Sequence, residues 1–489
     1  MKTENKKYEP SLASLNTHQI PGWYDDAKFG IFIHWGLFAI PGFASSYGSI
    51  GEVFAQKYDT AVALTPYTEW YENAIKVPES DSAKHHAEVY GNAPYEDFRA
   101  PFLKGLEQWD PKAWARLFKQ AGAKYVVLVT KHHDGYSLWP TEVPHPKKRG
   151  WHTTRDIVGE LGDAVRAEGL EYGLYYSGGI DWSFNTEPLR TLGDFTGSTP
   201  GGAYPAYAVA QVKELIDRYK PAVLWNDISW PTPLSGLMKT VAYYYNTVPE
   251  GVTNDRWMPV SWKTKLLRFK FIRRRFDKKV KEIMQSRGPQ KGIIPPEPPH
   301  YDFRTPEYTT FPDVQKRKWE ATRGMSHSFG YNRRDKDEDY LPVDEIVRGF
   351  VDAVSKNGNL LLNVGPRGED AQIPGEQVSR LLGFGAWLEK NGEAIYGTRP
   401  HTHAEGKTAD GHDVRYTRKG ETLYAIVLDA PTSGEITILD LAPEDGASVA
   451  LLGHGNVAWR RAGNGIAISL PPSLAPSPAI SFSITPFRA

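Results

Sequence analysis

Short apolar runs alternate with longer amphipathic stretches from about residue 28 to residue 366. KFGIFIHWG (28–36), KYVVLVTKHH (124–133), LEYGLYYSGG (170–179), PAVLWNDISW (221–230) and NLLLNVGP (359–366) read as buried strands. Between them DPKAWARLFKQAGA (110–123), TTRDIVGELGDAVRAEG (153–169), AYAVAQVKELIDRY (206–219) and PVDEIVRGFVDAVSKNG (342–358) carry apolar residues every three or four positions, the helical period. Strand–helix alternation over such a length predicts parallel strands joined by crossover helices. No glycine-rich phosphate turn follows the first strand, so a closed (β/α)8-like barrel fits better than a doubly wound sheet.

After about residue 396 the period changes. VRYTRKGETLYAIVLD (414–429), GEITILDL (434–441) and PAISFSITPF (478–487) alternate apolar and polar residues between Gly, Pro and Ser turns, which predicts a small antiparallel β-sandwich. The expected organisation is a barrel domain over 1–395 and a sandwich domain over 396–489. One piece does not fit the alternation, a basic insertion at about 258–299. Its core, 263–291, holds 12 Lys and Arg against Asp277 and Glu282, a local net of +10. Leu266, Phe269, Ile272, Phe276, Val280 and Ile283 recur at helical spacing there, so a basic amphipathic helix is expected. Such a helix either packs on the barrel with a solvated face or contacts an anionic surface.

Composition narrows the classes. The 489 residues have a formal net charge of +0, which gives no global field for nucleic acid. No stretch has the length and apolarity of a transmembrane segment, no apolar leader run is visible, and there is no Cys. Cytoplasmic residence is the expectation from these features. Oligomeric state is open, with a homo-oligomer allowed. Aromatics are enriched, with 15 Trp and 26 Tyr, the side chains that stack on the CH-rich faces of sugars.

The apolar runs end in polar or aromatic clusters: His34-Trp35, His132-His133-Asp134, Tyr175-Tyr176-Ser177 and Trp225-Asn226-Asp227, joined by Asn254-Asp255-Arg256. Barrel active sites form at the carboxyl ends of the strands, so clusters converging there read as a site. The histidines of KHHDG admit three roles: metal ligands, strand-end caps, or partners for substrate hydroxyls. Neighbouring residues on an extended segment face opposite ways, which makes a poor metal pair, and no HxH or HExxH spacing is present. No cofactor or metal is expected. Asp227, at the end of a buried strand, reads as a helix cap or as a carboxylate employed in chemistry. Glu69 in YTEWYEN and Glu320 in KWEATRG sit among aromatics, where desolvation raises a carboxyl pKa. Either with Asp227 makes the carboxyl pair that glycoside hydrolysis uses.

KFGIFIHWG, YTEWY, KHHDGYSLW, YYSGGIDW, LWNDISWP, NDRW, YDFRTPEY, KWEATRG, SFGYN and NGNLLLNVGPRG, in this order, resemble the α-L-fucosidases of glycoside hydrolase family 29 over nearly the whole chain. The resemblance implies a retaining exo-α-L-fucosidase acting on fucosylated oligosaccharides or glycoconjugates. It implies Asp227 as nucleophile and Glu320 as acid/base, with Glu69 as the alternative. His34, Glu69, Trp70, His132, His133, Tyr175, Trp225 and Arg256 are then expected to bind substrate. The basic insertion departs from the family pattern between NDRW and YDFRTPEY.

Overall fold

The computed structural model describes residues 7–290 and 292–487. Lys291, the last of the expected basic residues, lies outside the described residues. Seven parallel strands form the first sheet: β1 (Phe29–Ile33), β2 (Tyr125–Lys131), β3 (Glu171–Ser177), β4 (Val223–Asp227), β5 (Val252–Thr253), β6 (Trp319–Gly324) and β7 (Gly358–Val364). Their order is β5-β4-β3-β2-β1-β7-β6, a curled sheet with β5 and β6 at its edges. An irregular segment joins those edges. Asn254 bridges Phe303, Arg304 bridges Trp319 and Glu307 bridges Thr322, all parallel. The ring therefore consists of seven strands and one segment, 302–307, that lacks regular pairing.

The strands are apolar throughout because both of their faces are covered. Helices such as Pro111–Gln120, Ile157–Ala167, Tyr204–Tyr219 and Val343–Ser355 shield the outside, and aromatics fill the inside. At the floor of the ring Gly30 makes room for the Tyr125 ring, since a Cβ there would lie 2.4 Å from it. Tyr125 consequently reaches across the interior to Glu320.

From Arg399 onward all strands are antiparallel. A six-stranded sheet runs β13 (Gly455–Asn456), β12 (Ser448–Leu451), β16 (Ala479–Thr485), β10 (Thr422–Leu428), β9 (Asp413–Lys419), β8 (Arg399–Lys407). A three-stranded sheet, β11 (Glu435–Ile438), β15 (Gly465–Ser469) and β14 (Trp459–Ala462), completes the unit. Alternate residues of the two sheets, among them Val414, Val427, Ile436, Ile466 and Phe482, form one apolar core. The unit is fixed to the barrel by Trp387 Nε1, which donates to the Ala479 carbonyl at 2.9 Å, and by the Arg415–Asp352 pair.

The basic insertion forms helices Trp262–Leu266 and Lys270–Arg287. Its apolar face differs from the expected one. Ile272, Phe276 and Val280 turn inward, but Phe269 precedes the helix and is exposed, Ile283 is 38% exposed, and Leu267 rather than Leu266 is buried. The reason is polar. Asp277 faces the protein and accepts from Tyr58 Oη at 2.9 Å, Thr191 Oγ1 at 3.0 Å and the Gly193 amide at 2.8 Å. That anchor fixes the helix rotation against helices Leu192–Gly197 and Ile50–Gln56.

Candidate active site

The strand ends open into a cavity of about 250 Å³. A cavity of this volume admits a ligand about the size of one pyranose ring. His34, Glu69, Trp70, His132, His133, Tyr175, Trp225, Asp227 and Arg256 all line it. So does Glu307, which the sequence reasoning did not single out.

Asp227 is the last residue of β4 and only 8% exposed. Its Oδ2 accepts from Tyr175 Oη at 2.8 Å and its Oδ1 from the Ile228 amide at 2.8 Å. Ile228 has φ 68°, a left-handed conformation that is costly for a β-branched residue. The strained turn aims the following backbone N–H at the carboxylate. Arg256 Nη1 donates to Asp227 Oδ1 at 3.1 Å, and Arg256 Nη2 to Glu307 Oε2 at 2.9 Å. One planar guanidinium thus holds two carboxylates at the cavity wall. Burial opposes the Arg256 charge, but the Glu307 and Asp227 carboxylates outweigh it and hold its pKa above the ordinary value. Its guanidinium also stacks over Trp225 at 4.9 Å, and its Nε donates to Thr305 at 3.1 Å.

Imidazoles also line the cavity. His34 Nδ1 pairs with Asn363 Oδ1 at 2.6 Å and His133 Nδ1 with Ser177 Oγ at 2.6 Å, which leaves both Nε2 atoms for the cavity side. His133 Nε2 lies 4.0 Å from Asp227 Oδ2. His132 stacks on Tyr175, and its buried Nδ1 has no hydrogen-bond partner among the described residues. Burial pushes the His34 and His133 pKa values down to about 4 and lowers that of His132 well below the ordinary value. Neutral imidazoles each offer one donor and one acceptor, the pairing a sugar hydroxyl needs. Among the described residues no group of three or more His, Asp and Glu is arranged to hold a metal ion.

Glu69 lies in a short 3₁₀ turn, Thr68–Trp70, and its Oε2 accepts from the Gly330 amide at 2.9 Å. Desolvation raises its pKa to about 7 against that hydrogen bond. Trp70 packs edge-on to His133 at 4.9 Å. Asp134 does not reach the cavity. It accepts from Tyr95 Oη and the Tyr136 amide and caps the β2 end, with burial raising its pKa to about 7.

Glu320, expected as the acid/base, is also not brought to the cavity. It occupies the second position of β6, near the floor, fully buried. Its Oε2 accepts from Tyr24 at 2.9 Å and Tyr125 at 2.5 Å, and its Oε1 from Trp225 Nε1 at 3.3 Å. Desolvation raises its pKa to about 7. Successive side chains on one face of a strand stand two residues apart, so Thr322, not Glu320, is the β6 residue that lines the cavity. Glu307 reaches it from the irregular segment, with Tyr67 Oη donating to its Oε1 at 2.8 Å. The signal was in the YDFRTPEY motif: an acid following Pro306, beside Tyr and Arg, on the segment that replaces a strand.

The insertion reaches the cavity as well. Ile293, Pro295 and Pro296, on its return limb, line the mouth together with Leu192 and Phe195.

Residues 1–393 match the model of the alpha-L-fucosidase family, and 408–485 that of the alpha-L-fucosidase C-terminal domain. The tissue alpha-L-fucosidase of Bos taurus is 32% identical over 488 residues, covering 96% of this chain and 88% of its own. The plasma alpha-L-fucosidase of Homo sapiens is 33% identical, covering 95% of this chain and 89% of its own. Among solved structures, a Thermotoga maritima alpha-L-fucosynthase in complex with alpha-L-Fuc-(1-2)-beta-L-Fuc-N3 is 40% identical with a TM-score of 0.81 over 98% of this chain and all of its own. The Thermotoga maritima alpha-fucosidase in complex with a mechanism-based inhibitor is 39% identical with a TM-score of 0.79, covering 98% and 99%. These relatives, named for tissue and plasma, correct the expectation of cytoplasmic residence. The absence of Cys does not fix a compartment.

Proposed function

The chain belongs to the alpha-L-fucosidase family of glycoside hydrolases, and we propose that it releases terminal α-L-fucose with retained configuration through a covalent fucosyl-enzyme. Asp227 is the nucleophile and Glu307 the acid/base. An Asp227 oxygen attacks the anomeric carbon as the glycosidic C–O bond breaks, and protonated Glu307 gives its proton to the leaving oxygen. The Glu307 carboxylate then takes a proton from water, the water oxygen attacks the anomeric carbon, and Asp227 is freed. The sum is hydrolysis, with both carboxyls restored.

The observation that carries this reading is the shared guanidinium: Arg256 holds Asp227 and Glu307 on one wall of a cavity the size of a single sugar. The relative solved with a mechanism-based inhibitor supports the covalent step. His34, His132 and His133 take the fucose hydroxyls, with Trp70 and Tyr175 beside them. Phe32 and Phe329, both packed on His34, offer an apolar wall to the carbon that lacks a hydroxyl in a deoxy sugar. Fucosylated oligosaccharides or glycoconjugates are the substrates.

Glu69 is the second reading for the acid/base role. It lines the cavity, and its pKa near 7 keeps it protonated at mildly acid pH. Proton NMR of the first-formed product decides the stereochemistry: α-fucose before mutarotation is expected, whereas β-fucose overturns the double displacement. Azide added to Glu307→Ala is expected to restore turnover and give a fucosyl azide. If only Glu69→Ala shows that rescue, Glu69 is the acid/base.

A further inference from the structure

The helix Lys270–Arg287 divides its residues by their rotation. Ile272, Phe276, Asp277, Val280 and Met284 turn toward the protein, and Phe271, Arg274, Arg275, Lys278 and Lys279 turn away from it. Two of the insertion's cations are consumed by ion pairs, Arg273 with Asp194 at 3.0 Å and Lys281 with Asp59. Lys263, Lys265, Lys270, Arg274, Arg275, Lys278, Lys279 and Arg287 have no ion-pair partner among the described residues. The chain has zero net charge, so this face is a concentrated positive field on a protein that is otherwise net negative.

Charge alone is a solvated face. What sets this one apart is the aromatic side chains around it. Trp262 is 69% exposed, Phe271 65% and Phe269 56%, and the two Phe rings lie 6.3 Å apart at the start of the helix. Clustered exposed aromatics have no stabilising role in a monomer and mark a surface that meets something apolar. Unpaired cations on the same segment as exposed Trp and Phe are the composition that seats a helix in a lipid interface, with rings entering the acyl boundary and cations on anionic headgroups.

We propose that the insertion is a peripheral docking surface for an anionic lipid bilayer. A second copy of the chain fits poorly, because a two-fold contact through this face would set the same unpaired cations against each other. An anionic polymer would satisfy the cations but leave the aromatics in water. The helix packs through its other face on Leu192–Gly197 and Ile50–Gln56, whose Leu192, Phe195, Ile50 and Phe54 line the cavity mouth. Docking therefore presents the mouth beside the surface, where glycans carried on that surface are found. The proposal does not depend on which carboxyl acts as acid/base.

Flotation of the full chain with extruded vesicles tests it, using phosphatidylcholine with and without phosphatidylserine. Binding is expected only to the anionic vesicles, weakening as salt rises. Since each cation near such a surface contributes roughly a fivefold factor, Arg274→Glu with Lys278→Glu is expected to lower binding by about 25-fold or more. Phe269→Ala with Phe271→Ala keeps every charge and is expected to lower it by about tenfold. Both variants should keep wild-type turnover of a small soluble fucoside, which confirms the fold. Equal binding to neutral and anionic vesicles overturns the proposal. So does retention by heparin that is unchanged in the aromatic variant while no vesicle binds, or a dimer in sedimentation that the same variants dissolve.

Discussion

Replacing Glu320 by Gln and Glu307 by Ala compares an acid buried in the barrel floor with the one proposed to protonate the leaving group. In the floor of the barrel Glu320 takes three donors, from Tyr24, Tyr125 and Trp225, and has no contact with the cavity. The Gln amide retains one oxygen, so at least one buried donor loses its partner, at a cost of about 1–3 kcal/mol. Against this stands the protonation of the native residue. Its pKa is 4.5 unfolded and about 7 folded, so the folded state holds the proton more tightly. The stabilisation is complete below pH 4.5 and is lost as pH rises through 7, a change of about 3 kcal/mol at 1.36 kcal/mol per unit. Glu320→Gln should therefore be destabilised by about 1–3 kcal/mol near pH 4.5 and be equal to, or up to about 2 kcal/mol more stable than, wild type at pH 8. Denaturant unfolding at the two pH values reads the crossover. Turnover should stay within about tenfold of wild type on both an aryl fucoside and a fucosylated disaccharide. Glu307→Ala should lose about 10²–10⁴-fold on the disaccharide, whose leaving group needs the proton, and far less on the aryl fucoside. Leaving-group dependence in Glu320→Gln, with none in Glu307→Ala, would reverse the two assignments.

Tyr175→Phe removes one charged-acceptor hydrogen bond from Asp227, about 1.5–3 kcal/mol, so kcat/KM should fall about 10- to 150-fold, with near-native unfolding. Steady-state kinetics read it, and an unchanged kcat/KM contradicts the role. Asp277→Ala frees the basic helix from Tyr58, Thr191 and Gly193, at about 1–3 kcal/mol locally. The disaccharide KM should rise severalfold while kcat on a small aryl fucoside holds, because Leu192 at the mouth shifts and the sugar pocket does not. His34 and His133, with pKa values of 6.5 unfolded and about 4 folded, add stability present above pH 6.5 that is lost as pH falls toward 4. The stability difference between wild type and the His34→Asn/His133→Asn variant should shrink by about 2.7 kcal/mol per pH unit across that window, measured by denaturant titration.

Most of the barrel was legible because parallel strands covered on both faces must be apolar runs, as in β1, β2 and β7. The rim was legible because polar residues at the ends of such runs are costly unless used, and His34, His133, Tyr175 and Asp227 do meet in one cavity. Depth along a strand was not legible. Glu320 and Thr322 share a face of β6, but Thr322 lines the cavity while Glu320 lies deeper, bonded to Trp225. Glu307 escaped notice because segment 302–307 has no periodicity; isolated bridges and side-chain bonds from Arg256 and Asp255, rather than a regular ladder, hold it between β5 and β6. The inward face of the basic helix was half right because Asp277, an acid amid cations, sets the rotation rather than the apolar residues alone.

Incubation with a slow 2-fluoro fucosyl donor, followed by peptic digestion and mass spectrometry, tests the covalent chemistry at its source. One fluorofucosyl group per chain is expected, on the peptide carrying Asp227, and absent from Asp227→Gly. A label on Glu69 or Glu307, or an inactivated enzyme carrying none, contradicts it.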